Sequence, residues 1–290
     1  MKTKYFSIIA AAFALVACDK NNDDFNIDNT KDTPITIVSA GVAELTTRAV
    51  SYPLVGTDAS SPATIGVFVT GGSETKYDAA NVEWEHGGSS WEKIGNETML
   101  YEGAGSKQTI YACSPYSESA AAGTITVSAT DRTDWLVATA TPLTSNSVSL
   151  MMNHALTKLI LKVSGYGAEV SENDRNIQSV KVGNMYASGT LYISDNSWSG
   201  LSETPDATLT MTDYELLVIS MASCTSFPIT ITMADNRIFK ATISLSGVGN
   251  KLEAGTQYKI TLQVGQDKVT LGDITASPWK NMDGGELDTE

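Results

Sequence analysis

The 290-residue sequence is poor in the side chains from which most catalytic and metal sites are built. It contains two histidines, His86 and His154, and three cysteines. Neither histidine has a histidine or cysteine neighbour at the spacing of a zinc site, which normally needs three or four convergent ligands. A serine nucleophile elbow, a phosphate-binding loop and a paired-glycine nucleotide fingerprint are also missing. We therefore expect a protein that is not an enzyme and that carries neither a metal nor another cofactor.

Positive charge and long helical patterns are scarce as well. The formal net charge is −14 at pH 7. A surface of this charge repels nucleic acid and anionic lipid, so we expect no nucleic-acid partner, whereas an exposed extracellular protein would tolerate it. We find no internal repeat, no coiled coil, no convincing amphipathic helix and no apolar run of membrane-spanning length after the N-terminus.

Residues 1–18 have the pattern of a bacterial lipoprotein signal peptide. Lys2 and Lys4 precede an apolar run that is too short to cross a bilayer. The run ends in Leu-Val-Ala-Cys, which is similar to the lipobox recognised by lipoprotein signal peptidase. We predict that Cys18 becomes the lipidated N-terminus and that its acyl chains hold the protein on a membrane. An ordinary signal peptide with an incidental cysteine is the alternative.

Residues 19–34 are predicted to be a flexible acidic tether. The stretch DKNNDDFNIDNTKD, at 19–32, has too few apolar residues to bury surface. Asp19, Asp23 and Asp24 are similar to the export signal of surface lipoproteins in some Gram-negative anaerobes. A plain solvated spacer explains these acidic residues equally well.

Beyond the tether, short strand-like stretches follow one another. In 257–264, the last of them, apolar and polar residues alternate, as in a sheet with one solvated face. Clusters of Gly, Asn, Asp and Ser separate the stretches. The other predicted strands are 64–70, 108–111, 124–128, 135–139, 159–163, 177–182, 190–194, 207–211, 215–220, 229–233 and 238–245.

The strand pattern predicts an all-β fold with two antiparallel β-sandwich domains, because each sheet must cover its apolar face. A polar, charged stretch at 168–176 divides them into residues 49–167 and 168–290. We expect Cys113 and Cys224 to be buried free thiols, although a disulfide is chemically possible in an oxidising compartment. The five tryptophans could stack on sugars but are more typical of core packing: Trp84, Trp91, Trp135, Trp198 and Trp279.

Arginine occurs four times, and Arg48 lies near the start of the predicted fold in the stretch Thr-Thr-Arg-Ala. An exposed loop of this kind is accessible to an arginine-specific protease. Judged on its own residues, Arg48 is more simply an ordinary surface arginine.

Taken in order, several stretches resemble the fimbrillin family, the major-pilin-like subunits of Gram-negative oral and gut anaerobes. The stretches are the lipobox ending at Cys18 and residues 35–49, 110–116, 153–159, 252–258 and 269–279. The resemblance implies two transthyretin-like β-sandwich domains in tandem. It also implies a structural pilus subunit that is anchored by lipid to the outer membrane, lies on the cell surface and supports adhesion.

The resemblance further implies cleavage between Arg48 and Ala49 by an arginine-specific protease. Residues 35–48 would then be a propeptide strand, and its release would open a groove for the C-terminal arm, about residues 265–290, of another copy or a related subunit. The donor residues implied are Val269, Leu271 and Ile274. Alternation is imperfect in both segments, and Ile274 shares the face of the other two only if Gly272 and Asp273 form a β-bulge. A surface lipoprotein, tip or accessory subunit that binds glycan or host protein without polymerising is the alternative.

Overall fold

In the computed structural model the regular secondary structure of the described residues is mostly β-strand, which confirms the all-β prediction. The structure describes residues 31–43, 51–54, 62–131, 133–168, 170, 175–202, 204–265 and 268–279. The helices within these ranges are single turns of 3₁₀ helix at Thr75–Tyr77, Glu118–Ala120 and Ser246–Val248. No helix in the described part of the chain is long and apolar enough to span a membrane.

An eight-stranded sheet dominates the N-terminal half. In spatial order its strands are β3 (Ser51–Pro53), β2 (Thr36–Ala43), β11 (Ser147–His154), β10 (Leu136–Pro142), β8 (Thr109–Ser114), β4 (Ala63–Thr70), β5 (Ala79–His86) and β6 (Trp91–Lys93). The pairing of β2 with β11 is parallel, and the other pairings in this sheet are antiparallel. A separate short pair joins β1 (Thr33–Pro34) to β7 (Leu100–Tyr101).

Two four-stranded sheets form a sandwich in the C-terminal half. One has the order β17 (Glu215–Ile219), β12 (Leu156–Tyr166), β20 (Thr256–Val264), β21 (Val269–Pro278). The other has the order β16 (Ala207–Thr210), β13 (Ile177–Met185), β18 (Ser226–Met233), β19 (Ile238–Ser244). Apolar side chains from both sheets share one core, to which β20 contributes the alternating residues predicted from the sequence: Tyr258, Ile260, Leu262 and Val264.

A three-stranded sheet links the two halves. It consists of β15 (Ser197–Ser199), β14 (Ser188–Tyr192) and β9 (Thr124–Ser128). The division predicted between residues 167 and 168 does not follow the sheets. β12 precedes that division but pairs with β17 and β20, which follow it. β14 follows the division but pairs with β9, which precedes it.

Four strands of the large sheet were not predicted from the sequence: the short strands β3 and β6 and the longer strands β5 and β11. β11 has the sequence SVSLMMNH, in which Val148 is the only β-branched residue, so it lacks the composition by which strands are recognised. Its buried positions nevertheless alternate without a break: Val148, Leu150, Met152 and His154. In β5 the residue Asn81 has a φ of +52°, and the ladder to β4 shifts register there, which interrupts the simple alternation.

Candidate site of strand exchange

The predicted modification and cleavage residues, Cys18, Arg48 and Ala49, lie outside the described residues, as does the tether up to residue 30. The predicted propeptide strand, residues 35–48, is described as far as Ala43 and forms β2, whereas β1 lies at the end of the predicted tether. The predicted donor residues all lie in β21. The structure therefore places the two segments in different sheets of the subunit.

β2 is an integral strand of the large sheet. It lies between β11, to which it is parallel, and the short strand β3, which pairs with its C-terminal end. Hydrogen bonds also fix the residues at its start: the amide of Ile35 donates to the carbonyl of Met99 at 2.9 Å, and that of Thr36 donates to the carbonyl of Asn146 at 2.7 Å. Loss of β2 would leave unpaired backbone groups along β11 and open a groove beside it.

The inward side chains of β2 follow an alternation with one interruption. The buried apolar residues are Ile37, Ala40 and Val42 of β2 and Ile35 directly before the strand. Ile37 is opposite Val148 and Ser39 is opposite Ser149, so Val38 is one residue too many for the ladder and forms a β-bulge. Val38 is 57% exposed, whereas Ile37 is 2% exposed. The bulge explains why this segment does not alternate regularly in the sequence.

A polar contact holds the start of this segment. The hydroxyl of Tyr77 donates to Oδ1 of Asp32 at 2.6 Å, and Nζ of Lys76 lies 3.2 Å from the same oxygen. The amide of Asp32 donates to the carbonyl of Tyr101 at 2.9 Å. The hydrogen bond from Tyr77, together with Lys76, lowers the pKa of Asp32 below its ordinary value near 3.8. The ionised carboxylate is thus the form that ties this segment to the body of the protein.

The connection between β2 and β3 contains the predicted cleavage residues. Ala43 pairs with Ser51, and Gly41 pairs with Pro53, so the two strands are antiparallel neighbours joined by residues 44–50. Arg48 and Ala49 are part of that connection. A cut between them would leave β2 held in the sheet by hydrogen bonds and packing alone.

β21 is an edge strand and pairs antiparallel with β20. Its three predicted donor residues are opposite buried residues of β20 and pack against the C-terminal core, but they are only half-buried: Val269, Leu271 and Ile274. Between Leu271 and Ile274 the ladder gains one residue on β21, which places a bulge at Gly272 and Asp273. This bulge is the condition that the sequence analysis set for Val269, Leu271 and Ile274 to share one face.

The residue after β21 is held at the junction of the two halves. The ring of Trp279 is 6% exposed and stacks on His154, with 3.9 Å between ring centroids. Nδ1 of His154 is 2.8 Å from Oδ1 of Asp134. Nζ of Lys158 lies over the Trp279 ring, 5.6 Å from its centroid. The amide of Trp279 donates to the carbonyl of Gly255 at 2.8 Å. Release of β21 would have to break this stack.

The other candidate residues from the sequence are explained by their packing in the structure. Cys113 and Cys224 are buried free thiols, as predicted, and burial raises the pKa of Cys113 to about 12. His86 is buried with its ring edge-on to Trp91. Four tryptophans are buried and Trp198 is half-buried, so the rings are part of the packing. Within the described ranges, no group of three or more His, Cys, Asp or Glu side chains could hold a metal ion.

Two parts of this site were not predicted from the sequence. They are the strand that borders the groove beside β2 and the ring stack that holds the end of β21. β11 is the strand that borders the groove, and the alternation of its buried residues is the signal that could have revealed it. His154 and Trp279 lie in two separate stretches that resemble the fimbrillin family, but nothing local in either stretch indicates that their rings meet.

Comparisons with known proteins agree with this architecture. A family model described as fimbrillin-like matches residues 47–279. A search of curated proteins finds no match. Among solved structures, the chain is similar to a proposed cell adhesion protein of Bacteroides uniformis, with a TM-score of 0.64 and 17% identity over 84% of this chain and 99% of that chain.

Two further solved structures are also similar to this chain at low sequence identity. A proposed cell adhesion protein of Bacteroides ovatus has a TM-score of 0.64 and 17% identity over 87% of this chain and 99% of that chain. A fimbrial protein of Bacteroides vulgatus has a TM-score of 0.52 and 14% identity over 84% of this chain and 99% of that chain. At these identities the likeness shows a shared fold.

Proposed function

The chain belongs to the fimbrillin-like family, and on that premise we propose that it is a structural subunit of a surface fimbria that polymerises by exchanging β-strands. The observation that carries the proposal is the position of β2. This strand contributes buried side chains to the large sheet, yet the predicted cleavage residue Arg48 lies between it and β3. One proteolytic cut would therefore convert an intramolecular strand into a replaceable one.

Before the cut, β2 blocks its own groove. Its pairing with β11 is intramolecular, so its effective concentration is high and a strand from a neighbour cannot compete. After the cut the strand can dissociate, and the groove then presents an unpaired edge beside an apolar pocket. Both features favour the addition of another extended, apolar strand.

The proposed occupant is β21 of a second copy. In its own subunit β21 lies at a sheet edge, and its inward residues are half-buried, whereas the inward residues of β2 are almost fully buried. In the groove the inward residues of β21 would be buried more completely, at roughly 25 cal/mol per Å², and this gain has to exceed the loss of the contacts of β21 with β20. Each subunit then offers a groove in the large sheet and a strand from the C-terminal sandwich, and such a head-to-tail contact builds a filament when it does not close.

The same proposal includes maturation and location. The thiol of Cys18 takes a diacylglycerol, lipoprotein signal peptidase cleaves before this residue, and the acyl chains anchor the subunit to the outer membrane. An arginine-specific protease then cuts between Arg48 and Ala49 at the cell surface. The subunit works by binding other copies and related pilus subunits, without catalysis, a cofactor or nucleic acid.

One observation favours a second candidate function. In this alternative the protein is a tip or accessory subunit, or a surface lipoprotein, and it binds glycan or host protein without polymerising. β21 is already accommodated in its own sheet and is followed by the buried Trp279. A subunit whose β21 never leaves would have no strand to donate.

Two sets of variants test the proposal and separate these candidates. Arg48→Ala should leave β2 in its groove and abolish filaments in electron micrographs, whereas the matched control Arg237→Ala should polymerise like wild type. Filaments from Arg48→Ala subunits would overturn the processing step. If cleaved wild-type subunits form no filaments, the non-polymerising candidate is favoured instead.

The second set tests the donor. Nε2 of Gln257 lies 3.0 Å from Oγ of Ser277 across the β20–β21 pair, so cysteines at both positions can lock β21 to its own sheet. The oxidised double variant should be cleaved but remain monomeric, and reduction should restore polymerisation. Each single-cysteine variant serves as the control. Filaments from the oxidised double variant would rule out β21 as the donor.

A further inference from the structure

A half-buried isoleucine in the C-terminal half is surrounded by three lysines on the outer face of its sheet. Lys259 of β20 lies between two buried residues and therefore faces outward. It is opposite Ile160 of β12, and Lys158 and Lys162 are the outward residues on either side of Ile160. Neighbouring outward positions of a sheet are about 5–7 Å apart, so the three lysines share one small surface. We call these four residues the lysine patch.

The lysine patch has an excess of positive charge on a chain whose formal net charge is −14. Oε2 of Glu215 lies 2.7 Å from Nζ of Lys158. Three lysines thus share their surface with one glutamate. A chain of this net charge repels its own copies over most of its surface, so the lysine patch is a place where an acidic surface of another copy is attracted.

The N-terminal half contains an exposed isoleucine beside three glutamates. Glu85 of β5 is directly opposite Glu92 of β6. The amide of Ile94 donates to the carbonyl of Glu83 at 2.9 Å, which continues this ladder and places the two residues opposite each other. Ile94 is 39% exposed and follows Glu92 by two residues, so it lies on the same face. We call these four residues the glutamate patch.

The glutamate patch is not neutralised within the described part of the subunit, where no ion pair includes Glu83, Glu85 or Glu92. Lys93 is opposite the buried Trp84 and therefore lies on the other face of the hairpin. Partial burial and the nearby charge of Glu85 raise the pKa of Glu83. Like charges directly opposite each other in a sheet cost stability, and a positively charged partner surface would remove that cost.

We propose that the glutamate patch of one copy docks on the lysine patch of another. The patches match in composition, since each has one isoleucine and three charges and the two signs are opposite. An apolar centre with a polar rim is the ordinary build of a protein interface. Because the patches lie on different halves of the chain, the contact is heterologous and can repeat from copy to copy.

This contact goes beyond the proposed strand exchange. Neither patch includes β2, β21 or the predicted cleavage residues, so the contact should also form between uncleaved subunits. Opposite charges make such a contact fast to form and sensitive to salt. It would orient two copies head to tail before any strand is transferred.

Charge reversal in the full chain tests the contact. Every chain carries Arg48→Ala, so that strand exchange does not contribute, and sedimentation velocity measures self-association at low and high salt. One variant reverses the lysine patch with Lys162→Glu and Lys259→Glu. Another reverses the glutamate patch with Glu85→Lys and Glu92→Lys.

The matched control is Lys181→Glu with Lys240→Glu. Both lysines are exposed and lie on either side of Thr230, on the outer face of the other C-terminal sheet. The control makes the same change in net charge as reversal of the lysine patch. It therefore separates the effect of position from that of general repulsion.

Arg48→Ala chains should associate, with a dissociation constant at least about tenfold higher at high salt than at low salt. Each reversed variant alone should associate at least about tenfold more weakly, because both of its patches then carry the same sign. An equimolar mixture of the two should recover the affinity to within about threefold, since each patch again meets its opposite. The control should behave like Arg48→Ala.

A melting temperature equal to that of Arg48→Ala shows that a variant is folded. For a variant that is not, the neutral pairs Lys162→Gln with Lys259→Gln and Glu85→Gln with Glu92→Gln replace the reversals. These should weaken association at least about threefold.

Association of folded reversed variants like Arg48→Ala, a mixture that does not recover, or equal weakening of the control would overturn the proposal. Arg48→Ala chains that stay monomeric at low salt would also overturn it, and binding of heparin by such chains would assign the lysine patch to an anionic glycan. Filaments of cleaved wild-type subunits test the proposed function separately, so either proposal can fail without the other.

Discussion

Truncation of one buried side chain in β2 should weaken the precursor and leave the finished filament unchanged. Ile37 is 2% exposed and belongs to the N-terminal core. In Ile37→Ala the core loses three carbons at a site that β11 and the opposite strands keep from collapsing. The matched control is Val38→Ala, since Val38 is its neighbour on the same strand but is 57% exposed.

The expected size of the effect follows from this burial. Truncation of a buried isoleucine to alanine costs about 2–5 kcal/mol, whereas an exposed substitution stays within about 0.5 kcal/mol. At roughly 2–4 °C per kcal/mol for a chain of this size class, the melting temperature of uncleaved Ile37→Ala should fall by about 5–15 °C. Val38→Ala should melt within about 2 °C of wild type.

The same loss should speed the release of β2 after cleavage. Because 1.4 kcal/mol corresponds to a factor of ten, a loss of about 3 kcal/mol predicts release about a hundred times faster if the contact is absent from the transition state. Fluorescently labelled propeptide would report this rate. The mature filament no longer contains Ile37, so its resistance to heating in detergent should equal that of wild type.

Two results would refute this reasoning. Equal destabilisation of the precursor by Val38→Ala and Ile37→Ala would show that the bulge does not separate an outward from an inward residue. Filaments of Ile37→Ala that melt earlier than wild-type filaments would show that β2 stays in the mature assembly.

Three further predictions concern modification and titration. Cys18→Ala should leave the precursor unlipidated, so that it no longer partitions into detergent, and a lipid-modified form in mass spectra of this variant would contradict the assignment. Cys113, whose pKa burial raises to about 12, should remain a neutral thiol and react with thiol reagents only after unfolding, so rapid labelling of the native protein would show that it is accessible. The contact of Asp32 with Tyr77 lowers the pKa of the carboxyl, so its stabilising effect should be complete above about pH 3.8 and should disappear as the pH falls through the lowered value. Cleaved subunits should therefore release the propeptide strand faster in acid, and Asp32→Asn should release it fast at neutral pH with a much weaker pH dependence.

Local patterns explain which parts of the fold are predictable. Residues 124–128 and 257–264 lie in strands as expected, because alternation along a few residues reports the pleat directly. β11 was not predicted because its amino-acid composition is atypical of a strand, although its buried and exposed residues alternate regularly. In the candidate site, the irregular spacing at Gly272 and Asp273 was recognised as a possible bulge, and the ladder to β20 contains one there.

The sequence by itself determined the all-β class, the positions of most strands and the inward faces of the C-terminal strands. Only the tertiary structure decided which strands are neighbours: β2 lies beside β11, β9 lies beside β14, and Trp279 stacks on His154. The physical reason is that alternation fixes which side of a strand is buried but carries no information about its partner, which is selected by packing between residues far apart in the chain.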